Sequence, residues 1–356
     1  MTALRGPVLV VGTGLLGTSI ALACRRAGYD VLLSDVSPEH VRTASGLGAG
    51  RPVEPEDRPQ LVVVAVPPDL LGEVLVHALT ETDAVVTDVG SVKTRPLHEV
   101  AAAVDPGALG RYVGSHPMAG SERSGPLAAS AALFDGRPWA VTAHPTADPA
   151  AVALVEELAD RCGAVLVRLP PEEHDRAVAR TSHLPHLLAA LVAGQLADAP
   201  GAHLALSGQG VRDVTRVAGS DPAMWQQIVA ANADAVLELL GDVRGQLDDL
   251  IAAVRAGERD ALGALLRRGV AGTHAIPGKH GGPVRATASV FVSVPDHPGE
   301  LARLFADAGA SGVNIEDVRI DHDPGRDTGL VELVVAEGST QRLSTSLESR
   351  GWLTHG

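Results

Sequence analysis

Val10-Val11-Gly12-Thr13-Gly14-Leu15-Leu16-Gly17 follows a short apolar run, Pro7 to Val11, and precedes a helical pattern. Its glycines have the spacing G-x-G-x-x-G between a predicted strand and a predicted helix, where that spacing has structural meaning. Gly12 permits a tight turn, Gly14 lets the backbone approach a pyrophosphate, and Gly17 lets the helix pack closely on the sheet. Free N–H groups at the helix start would face the phosphates. The stretch therefore predicts a dinucleotide-binding βαβ unit.

A carboxylate follows the second predicted strand. Asp35 comes directly after the apolar run Asp30 to Ser34, at the position where dinucleotide-binding folds hydrogen-bond the ribose 2′-hydroxyl. Because a carboxylate there repels a 2′-phosphate, the sequence favours NAD over NADP as cofactor. A glycine-rich turn that binds nothing is the alternative interpretation. The predicted cofactor-binding residues are Gly12, Gly14, Leu15, Gly17 and Asp35.

Composition limits the class of protein. The chain has 356 residues, 45% of them hydrophobic, which is enough for two or three domains with their own cores. The formal net charge of −14 disfavours a phosphate-backbone partner, so no nucleic-acid binding is expected. We expect no signal peptide, because Met1-Thr2-Ala3-Leu4-Arg5 runs directly into the first predicted strand, and no membrane association, since no apolar run reaches the roughly 18 residues of a span. Two cysteines are too few for a disulfide framework, so the expected location is the cytoplasm.

The pattern of elements changes twice along the chain. In residues 1–169, short apolar strands alternate with helical segments, which predicts an α/β, doubly wound, mostly parallel sheet of the Rossmann type. In residues 170–275, helical periodicity predicts an all-helical domain of a kind that commonly dimerises. Residues 276–285 have the composition of a linker. Residues 286–356 show the order strand, helix, strand, strand, helix, with a short last strand near Trp352, which predicts a small α+β domain.

The stretch Gly114-Ser115-His116-Pro117-Met118-Ala119-Gly120-Ser121-Glu122 is the second informative segment. It places a histidine, a proline turn, a glycine and an acid close together in the chain. Behind a dinucleotide fold, such a segment is the expected place for a substrate to meet the nicotinamide. Alone, the same cluster is typical of an ordinary loop in which His116 has no chemical role.

Six motifs follow one another along residues 7 to 270. They are Gly12-x-Gly14-x-x-Gly17, Asp88-Val89-Gly90-Ser91-Val92-Lys93, His116-Pro117-Met118-Ala119-Gly120-Ser121-Glu122, Ser182-His183-Leu184-Pro185-His186, Arg212-Asp213-Val214-Thr215-Arg216 and Asp221-Pro222-Ala223-Met224-Trp225. In this order they resemble the prephenate/arogenate dehydrogenase family of tyrosine biosynthesis.

The resemblance implies an NAD-dependent oxidative decarboxylation. In prephenate, a cyclohexadienol dicarboxylate, the ring carbon gives a hydride to the nicotinamide, the hydroxyl loses a proton, and carbon dioxide leaves as the ring becomes aromatic. His116 matches the family's proton acceptor, and neutral imidazole suits that role near physiological pH. Ser91 would lie beside it, at the carboxyl end of the fourth strand, where open α/β sheets bind ligands. His116 and Ser91 are therefore the predicted catalytic residues.

A dicarboxylate substrate requires cations. Arg212 and Arg216 are four residues apart, which predicts that they share one helical face. Arg216 matches the family's carboxylate-binding arginine, since a guanidinium can bind a carboxylate through two hydrogen bonds. Arg212 is a second candidate ligand, and a surface ion pair with Asp213 is the alternative for it. Glu122 is predicted to pair with an arginine and gate the pocket.

Two histidines flank a proline in the fourth motif. His183 and His186 are three residues apart and are predicted to share a helix face, and Pro185 is predicted to kink that helix. His186 matches a substrate-side histidine of the family, whereas His183 is assigned a structural role. With His203 these residues suggest a metal site, but no carboxylate or cysteine completes a familiar spacing, so no metal is predicted. Trp225 is predicted to anchor the core after a helix-start signal.

The C-terminal region contains a further pair of motifs. Val294-Pro295-Asp296-His297-Pro298-Gly299-Glu300-Leu301, followed by Gly312-Val313-Asn314-Ile315, resembles the ACT domain, a small ferredoxin-like ligand-sensing module. The resemblance covers about residues 286 to 354 and implies a turn into the helix, with Asn314 beside an amino-acid site. The implied regulatory residues are Asp296, Gly299 and Asn314, and the implied effector is tyrosine. A module that only mediates association is the alternative.

Several interpretations of function follow. The leading one is a prephenate dehydrogenase, and the nearest alternative is an arogenate or dual-specificity enzyme, whose substrate has an ammonium in place of the keto group. A 3-hydroxyacid-type dehydrogenase is disfavoured, because those enzymes use a lysine in the helical domain and no lysine lies between Lys93 and Lys279. A non-catalytic sensor of NAD and amino acids is disfavoured by Ser91, His116 and Arg216. The expected partners are prephenate or arogenate, tyrosine, and a second copy of the chain.

Overall fold

The chain forms two compact units, Met1–Asp249 and Leu250–Gly356. The computed structural model describes residues 3–120, 124–276, 286–321 and 327–355. Most of the predicted linker, 276–285, lies outside these residues. The predicted three-domain division, with boundaries after 169 and 275, stays a prediction.

Eight strands lie in the described part of the first unit. They are β1 (Val8–Val11), β2 (Val31–Ser34), β3 (Arg51–Pro52), β4 (Leu61–Val64), β5 (Val85–Asp88), β6 (Gly114–Pro117), β7 (Pro138–Thr142) and β8 (Val165–Arg168). The first five form a parallel sheet in the order β3-β2-β1-β4-β5. A parallel bridge between Val86 and Tyr112 follows β5, and then β6 runs antiparallel to β7 and β7 parallel to β8. The predicted mostly parallel, Rossmann-type sheet is confirmed.

Valine and leucine fill the core of this sheet. Val10 of β1 lies opposite Leu33 of β2 and Val63 of β4, and all three side chains are buried. Strands that are covered on both faces read as continuous apolar runs, which is why these three could be recognised in the sequence. The two exposed residues of β3, Arg51 and Pro52, form no such run, and the sequence analysis does not predict that strand.

Helices cover the sheet and continue beyond it. Those that begin in the first unit are α1 (Leu15–Arg26), α2 (Pro38–Gly46), α3 (Leu71–Glu81), α4 (Thr94–Ala103), α5 (Pro106–Gly110), α6 (Pro149–Arg161), α7 (Pro171–Val178), α8 (Leu184–Gly194), α9 (Gly201–Leu204), α10 (Gln209–Thr215), α11 (Pro222–Ala231) and α12 (Ala233–Ala256). Between residues 171 and 274 the regular elements are all helical, as predicted. The predicted helix start at Asp221-Pro222 is confirmed, because the Asp221 carboxylate accepts the N–H of Ala223 at 2.9 Å.

The second unit contains an antiparallel sheet with helices. Its further elements are α13 (Arg259–His274), β9 (Thr287–Pro295), α14 (Glu300–Ala310), β10 (Ile315–Asp321), β11 (Thr328–Ala336), α15 (Thr340–Glu348) and β12 (Leu353–His355). The strands pair in the order β10-β11-β9-β12. Val290, Val292, Val331 and Leu333 point to one face of the sheet and bury it. The predicted order of strands and helices after residue 286 is confirmed.

None of the helices in the described ranges is both long and apolar enough to cross a membrane.

Candidate active site

The glycine turn lies at the carboxyl end of β1. Gly12 has a φ of +95°, and a Cβ atom there would overlap the carbonyl oxygen of Ala65. A Cβ atom at Gly17 would overlap the carbonyl oxygen of Gly12, so helix and turn pack in direct backbone contact. At Gly14, by contrast, a Cβ atom would meet nothing within 4 Å. The first and third glycines therefore satisfy packing within the protein, while the second leaves open space at the start of α1.

Asp35 lies beside this turn. Its Oδ2 accepts the backbone N–H of Thr13 at 2.6 Å and the Thr13 hydroxyl at 3.0 Å. Its Oδ1 accepts the N–H of Ser37 at 2.8 Å, and 11% of the side chain is exposed. The N-cap residue of α1 is Gly14, which has no side chain to cap the helix, so the first N–H groups stay available to a ligand. The carboxylate and the helix start thus face the same edge of the sheet.

A buried ionic cluster supports the loop after β5. The Lys93 ammonium donates to the Asp88 carboxylate and, at 2.7 Å, to the carbonyl of Ser115. The Tyr112 hydroxyl donates to Asp88 Oδ1 at 2.8 Å. Burial lowers the pKa of Lys93, against the opposing effect of Asp88, and it raises the pKa of Tyr112 well above its usual value. The cluster joins the loop that contains Ser91 to the strand that contains His116.

A second polar line begins at His116. Its Nδ1 lies 3.0 Å from Nε2 of His174, and the two rings meet edge to face. The Nδ1 of His174 lies 2.8 Å from Oδ1 of Asp175. The Asp175 carboxylate also accepts the backbone N–H groups of Lys93 and Thr94, both at 2.8 Å. Strand β6 and helix α7 thereby place three titratable side chains in a continuous line.

The surroundings of His116 keep its imidazole neutral. Burial lowers its pKa well below 6.5, and the neighbouring His174, Lys93 and His183 lower it further. Burial would raise the pKa of Asp175, but its hydrogen bonds from His174, Thr94 and Lys93 outweigh burial and lower that pKa. At neutral pH the line therefore consists of an unprotonated base at one end and a carboxylate at the other.

Trp225 holds the two histidines of the fourth motif. His186 stacks on the indole with 3.5 Å between ring centroids, and His183 meets the same ring edge to face at 6.0 Å. They share a face, as predicted. His183 is buried, its Nδ1 lies 3.2 Å from Asn232 Nδ2, and burial lowers its pKa to about 4. Burial also lowers the pKa of His186.

The chain around Pro185 is not a simple kinked helix. Ala179–His183 forms a π-helical segment, and α8 begins directly after it with Pro185 near its start. Proline has no N–H to give to the preceding turn, and a wider turn accommodates that loss. π-Helical segments are frequent at functional sites.

The predicted cations lie on the surface. Arg212 and Arg216 are both exposed. α10 ends at Thr215 and Arg216 begins a 3₁₀ turn, Arg216–Gly219, but the backbone N–H of Arg216 still donates to the carbonyl of Arg212, so their predicted common helical face stays a prediction. A tightened last turn is common where a helix ends, and the next helix starts only a few residues later. Asp213 accepts from Gln209 at 2.9 Å, and no ion pair between Arg212 and Asp213 occurs in the described part of the chain.

Of the two remaining predicted site residues, Ser91 and Glu122, the structure describes only Ser91. Ser91 lies in the loop after β5, where it lines a small cavity with Pro68 and Leu71. Its hydroxyl has no hydrogen-bond partner among the described residues. Glu122 lies outside the described residues. Within the described ranges, no group of three or more His, Cys, Asp or Glu side chains is placed to hold a metal ion.

Four residues that support the site are not predicted from the sequence, namely His174, Asp175, Asp88 and Asn232, and Lys93 has no predicted role. One available signal was the rarity of lysine, since Lys93 is one of only two in the chain. A rare lysine shortly after the Gly90-Ser91 loop is a candidate for a buried ion pair with a nearby carboxylate. The pair His174-Asp175 offers no such signal, because acids and a histidine near a helix start are ordinary surface residues.

The predicted regulatory residues lie at opposite ends of the antiparallel sheet of the second unit. Asp296 and Gly299 belong to the segment between β9 and α14, and the N–H of Asp296 donates to the carbonyl of Asp327 at 2.8 Å. Asn314 directly precedes β10, and its amide donates to Glu316 Oε1 at 2.8 Å. The predicted turn from strand into helix is confirmed, and so is the position of Asn314 near the start of the next strand.

Family models match most of the first unit and continue into the second. The model described as prephenate dehydrogenase, nucleotide-binding domain, matches residues 20–168. The model described as prephenate dehydrogenase, dimerization domain, matches residues 170–268. The chain belongs to the prephenate dehydrogenase family.

Individual members of the prephenate dehydrogenase family agree with this assignment. The probable prephenate dehydrogenase NovF of Streptomyces niveus is 38% identical, over 97% of this chain and 98% of its own. The crystal structure of prephenate dehydrogenase from A. aeolicus, in complex with hydroxyphenyl propionate and NAD+, superimposes with a TM-score of 0.68. It is 29% identical and covers 78% of this chain and 99% of its own. Synechocystis arogenate dehydrogenase gives a TM-score of 0.65 at 27% identity, covering 75% of this chain and 98% of its own.

Proposed function

We propose that this protein catalyses the NAD-dependent oxidative decarboxylation of prephenate to 4-hydroxyphenylpyruvate, a step of tyrosine biosynthesis. The observation that supports it most strongly is the neutral, half-buried His116 at the sheet edge that also presents the glycine turn, in a member of the prephenate dehydrogenase family. Ligands of open α/β sheets bind at this edge.

The residues around the glycine turn fit a dinucleotide. The open space at Gly14 and the uncapped start of α1 suit a pyrophosphate, and Leu15 supplies the first N–H group of the helix. Asp35 has lone pairs left for a ribose hydroxyl after its bonds to Thr13 and Ser37. NAD bound there would accept a hydride from the substrate ring. A related enzyme, that of A. aeolicus, has been crystallised with NAD+.

The protein's own groups then have separate tasks. His116 accepts the hydroxyl proton as the ring carbon is oxidised, and the later loss of carbon dioxide needs no further base. Ser91 orients the imidazole and the substrate hydroxyl. Arg216 binds a substrate carboxylate, with Arg212 as a second cation. His186, stacked on Trp225, lies on the substrate side, and Glu122 pairs with a cation at the entrance.

The substrate could instead be arogenate, or both compounds. The similarity to Synechocystis arogenate dehydrogenase supports keeping this alternative. The two substrates differ in charge at the side chain, where prephenate has a keto group and arogenate an ammonium. A non-catalytic sensor is a second alternative, and the His116 environment argues against it, because a half-buried, neutral histidine suits proton transfer.

The test is NADH formation by the purified full chain, with prephenate and arogenate offered separately. We expect NADH and 4-hydroxyphenylpyruvate in equal amounts from prephenate. Turnover of arogenate alone would replace the substrate assignment, and no turnover of either compound would favour the sensor.

A homodimer is part of the proposal. The matched family model for residues 170–268 is described as a dimerization domain. This region exposes large apolar side chains that a partner would cover, with 64% exposure at Leu191 and Leu237 and 86% at Leu206. Both cysteines are free and buried, which fits a cytoplasmic location.

We further propose that the region from 286 is an ACT domain and that tyrosine binds it as feedback inhibitor. The strand order β10-β11-β9-β12, with two helices on the apolar face, is that of a ferredoxin-like module. The residues proposed to contact the amino acid are Asp296 and Gly299 at one end of the sheet and Asn314 at the other, so one bound amino acid does not touch all three within a single copy. Tyrosine must favour a less active arrangement to inhibit, since equal affinity for two states shifts nothing.

A further inference from the structure

A line of hydrogen bonds links Asp175 through His174 to His116. The Asp175 carboxylate receives three donors, the ring of His174 and two backbone N–H groups, at 2.8 Å each. His174 and Asp175 are buried to 1% and 5% exposure, so water does not compete for these bonds. The line crosses from α7 to β6 and joins residues that are 58 positions apart in sequence.

This line of hydrogen bonds determines which ring nitrogen carries the proton in His174 and in His116. An ionised carboxylate only accepts hydrogen bonds, so Nδ1 of His174 must hold the proton that faces Asp175. When the His174 ring is neutral, its other nitrogen is an acceptor, so Nε2 of His174 accepts from Nδ1 of His116. Nδ1 of His116 therefore donates, and its Nε2 is left with a free lone pair. Nε2 of His116 has no hydrogen-bond partner in the described part of the chain.

We propose that His174 and Asp175 are positioning residues that hold His116 in the Nδ1–H tautomer, so that its Nε2 is presented as the proton acceptor. The inference rests on the proposed function, in which His116 is the base. Neither residue is proposed to touch the substrate.

The same contacts disfavour the opposite tautomer of His174, which would reverse the one of His116. With the proton on Nε2 of His174, its Nδ1 lone pair would face Oδ1 of Asp175, acceptor against acceptor, in a buried place. When His116 accepts a proton, its Nδ1–H bond to His174 persists, and the carboxylate charge of Asp175 lies behind that bond. The line thus fixes the acceptor before the reaction and stabilises the imidazolium afterwards.

Asp175 also has a purely structural contact, because it binds the N–H groups of Lys93 and Thr94 at the start of α4. The experiment therefore changes His174. His174→Gln keeps an oxygen that can accept from His116, whereas His174→Met fills a similar volume without an acceptor. His144 supplies the matched control, as a buried histidine bonded to the Tyr112 carbonyl at 3.1 Å and to Thr146 at 3.0 Å.

The direct measurement is ¹⁵N NMR of the full chain labelled in histidine, without substrate, with His116 signals identified by their loss in His116→Gln. We expect a protonated Nδ1 and an unprotonated Nε2 for His116 in the unaltered protein and in His174→Gln. In His174→Met we expect the Nε2–H tautomer to appear and kcat to fall at least about tenfold below that of His174→Gln, with KM within about twofold. His144→Gln and His144→Met should leave the His116 tautomer unchanged.

An Nε2–H tautomer of His116 in the unaltered protein would overturn the proposal, whether or not any variant folds. An unchanged tautomer and kcat in a folded His174→Met variant would overturn it as well. The predicted tautomer in a protein that turns over neither prephenate nor arogenate would leave this inference standing and contradict the proposed function instead.

Discussion

Thr13 gives both of its donors to a single oxygen of Asp35, the backbone N–H at 2.6 Å and the hydroxyl at 3.0 Å. This pair ties the end of β2 to the glycine turn after β1, across 22 residues of sequence. The carboxylate is thereby held at the sheet edge, with 11% of its side chain exposed. A fixed negative charge at this point is the physical basis for choosing NAD over NADP.

Removal of that charge should change the cofactor. The double variant Asp35→Ser with Val36→Arg replaces the carboxylate with a neutral acceptor and adds a cation at a position that is 99% exposed. We expect the ratio of kcat/KM for NADP to that for NAD to rise about 10- to 100-fold, the value of one or two charged hydrogen bonds. Val36→Arg alone is the control and should keep the preference for NAD. Equal use of NAD and NADP by the unaltered protein would show that Asp35 does not have this role.

Arg216 is predicted to bind a substrate carboxylate. Arg216→Ala should mainly raise KM for prephenate, with a smaller fall in kcat, and cost roughly 2–4 kcal/mol in kcat/KM. Arg212 is the second predicted cation and is exposed as well, so Arg212→Ala is the matched comparison and should have the smaller effect. If Arg216→Ala leaves KM unchanged while Arg212→Ala raises it, Arg212 holds the carboxylate.

The acid limb of the pH–rate profile should lie well below pH 6.5. The base is active when deprotonated, and burial, His174, Lys93 and His183 lower the pKa of His116 below that value. As pH falls from 8, kcat/KM should therefore hold through pH 6.5 and decline only when pH passes through the lowered pKa. The profile of kcat/KM for prephenate from pH 4.5 to 8 measures this. A midpoint at or above 6.5 would mean that His116 is not the titrating base, or that its burial is relieved in solution.

Most of the fold follows from local patterns in the sequence. The strands β1 and β4 are unbroken valine and leucine runs, β2 is such a run followed by Ser34, and Asp221-Pro222 indicates the start of α11. Such signals lie within a few residues of each other, so one sequence is enough to recognise them. The same holds for the glycine turn, whose spacing directly reflects two backbone contacts.

The candidate site could be predicted only in part. His116 belongs to a recognisable motif, but its partner His174 is 58 residues away in sequence and comes close only when α7 packs near β6. Nor does the spacing of Arg212 and Arg216 reveal that the helix ends between them. Tertiary contacts decide both features, and local periodicity carries no information about them.

L-Tyrosine should inhibit the enzyme through the second unit. Asn314→Ala should raise the tyrosine concentration for half inhibition at least about tenfold, since a hydrogen bond to a charged ligand is worth about 1.5–3 kcal/mol. Ser349→Ala, an exposed change on the same unit, is the control and should leave inhibition unaltered. Initial rates at varied concentrations of prephenate and tyrosine measure the inhibition of both variants. Inhibition that is competitive with prephenate and unaffected in Asn314→Ala would place tyrosine in the active site.

The central claim is that His116 is the base of an NAD-dependent prephenate dehydrogenase. The most direct test is the steady-state rate of NADH formation from prephenate by the unaltered protein and by His116→Asn, with NAD binding measured in parallel. We predict robust turnover by the unaltered protein and a kcat lower by roughly 100-fold or more in the variant, at unchanged NAD affinity, because general bases contribute about 10²–10⁴. A fully active His116→Asn variant would contradict the account.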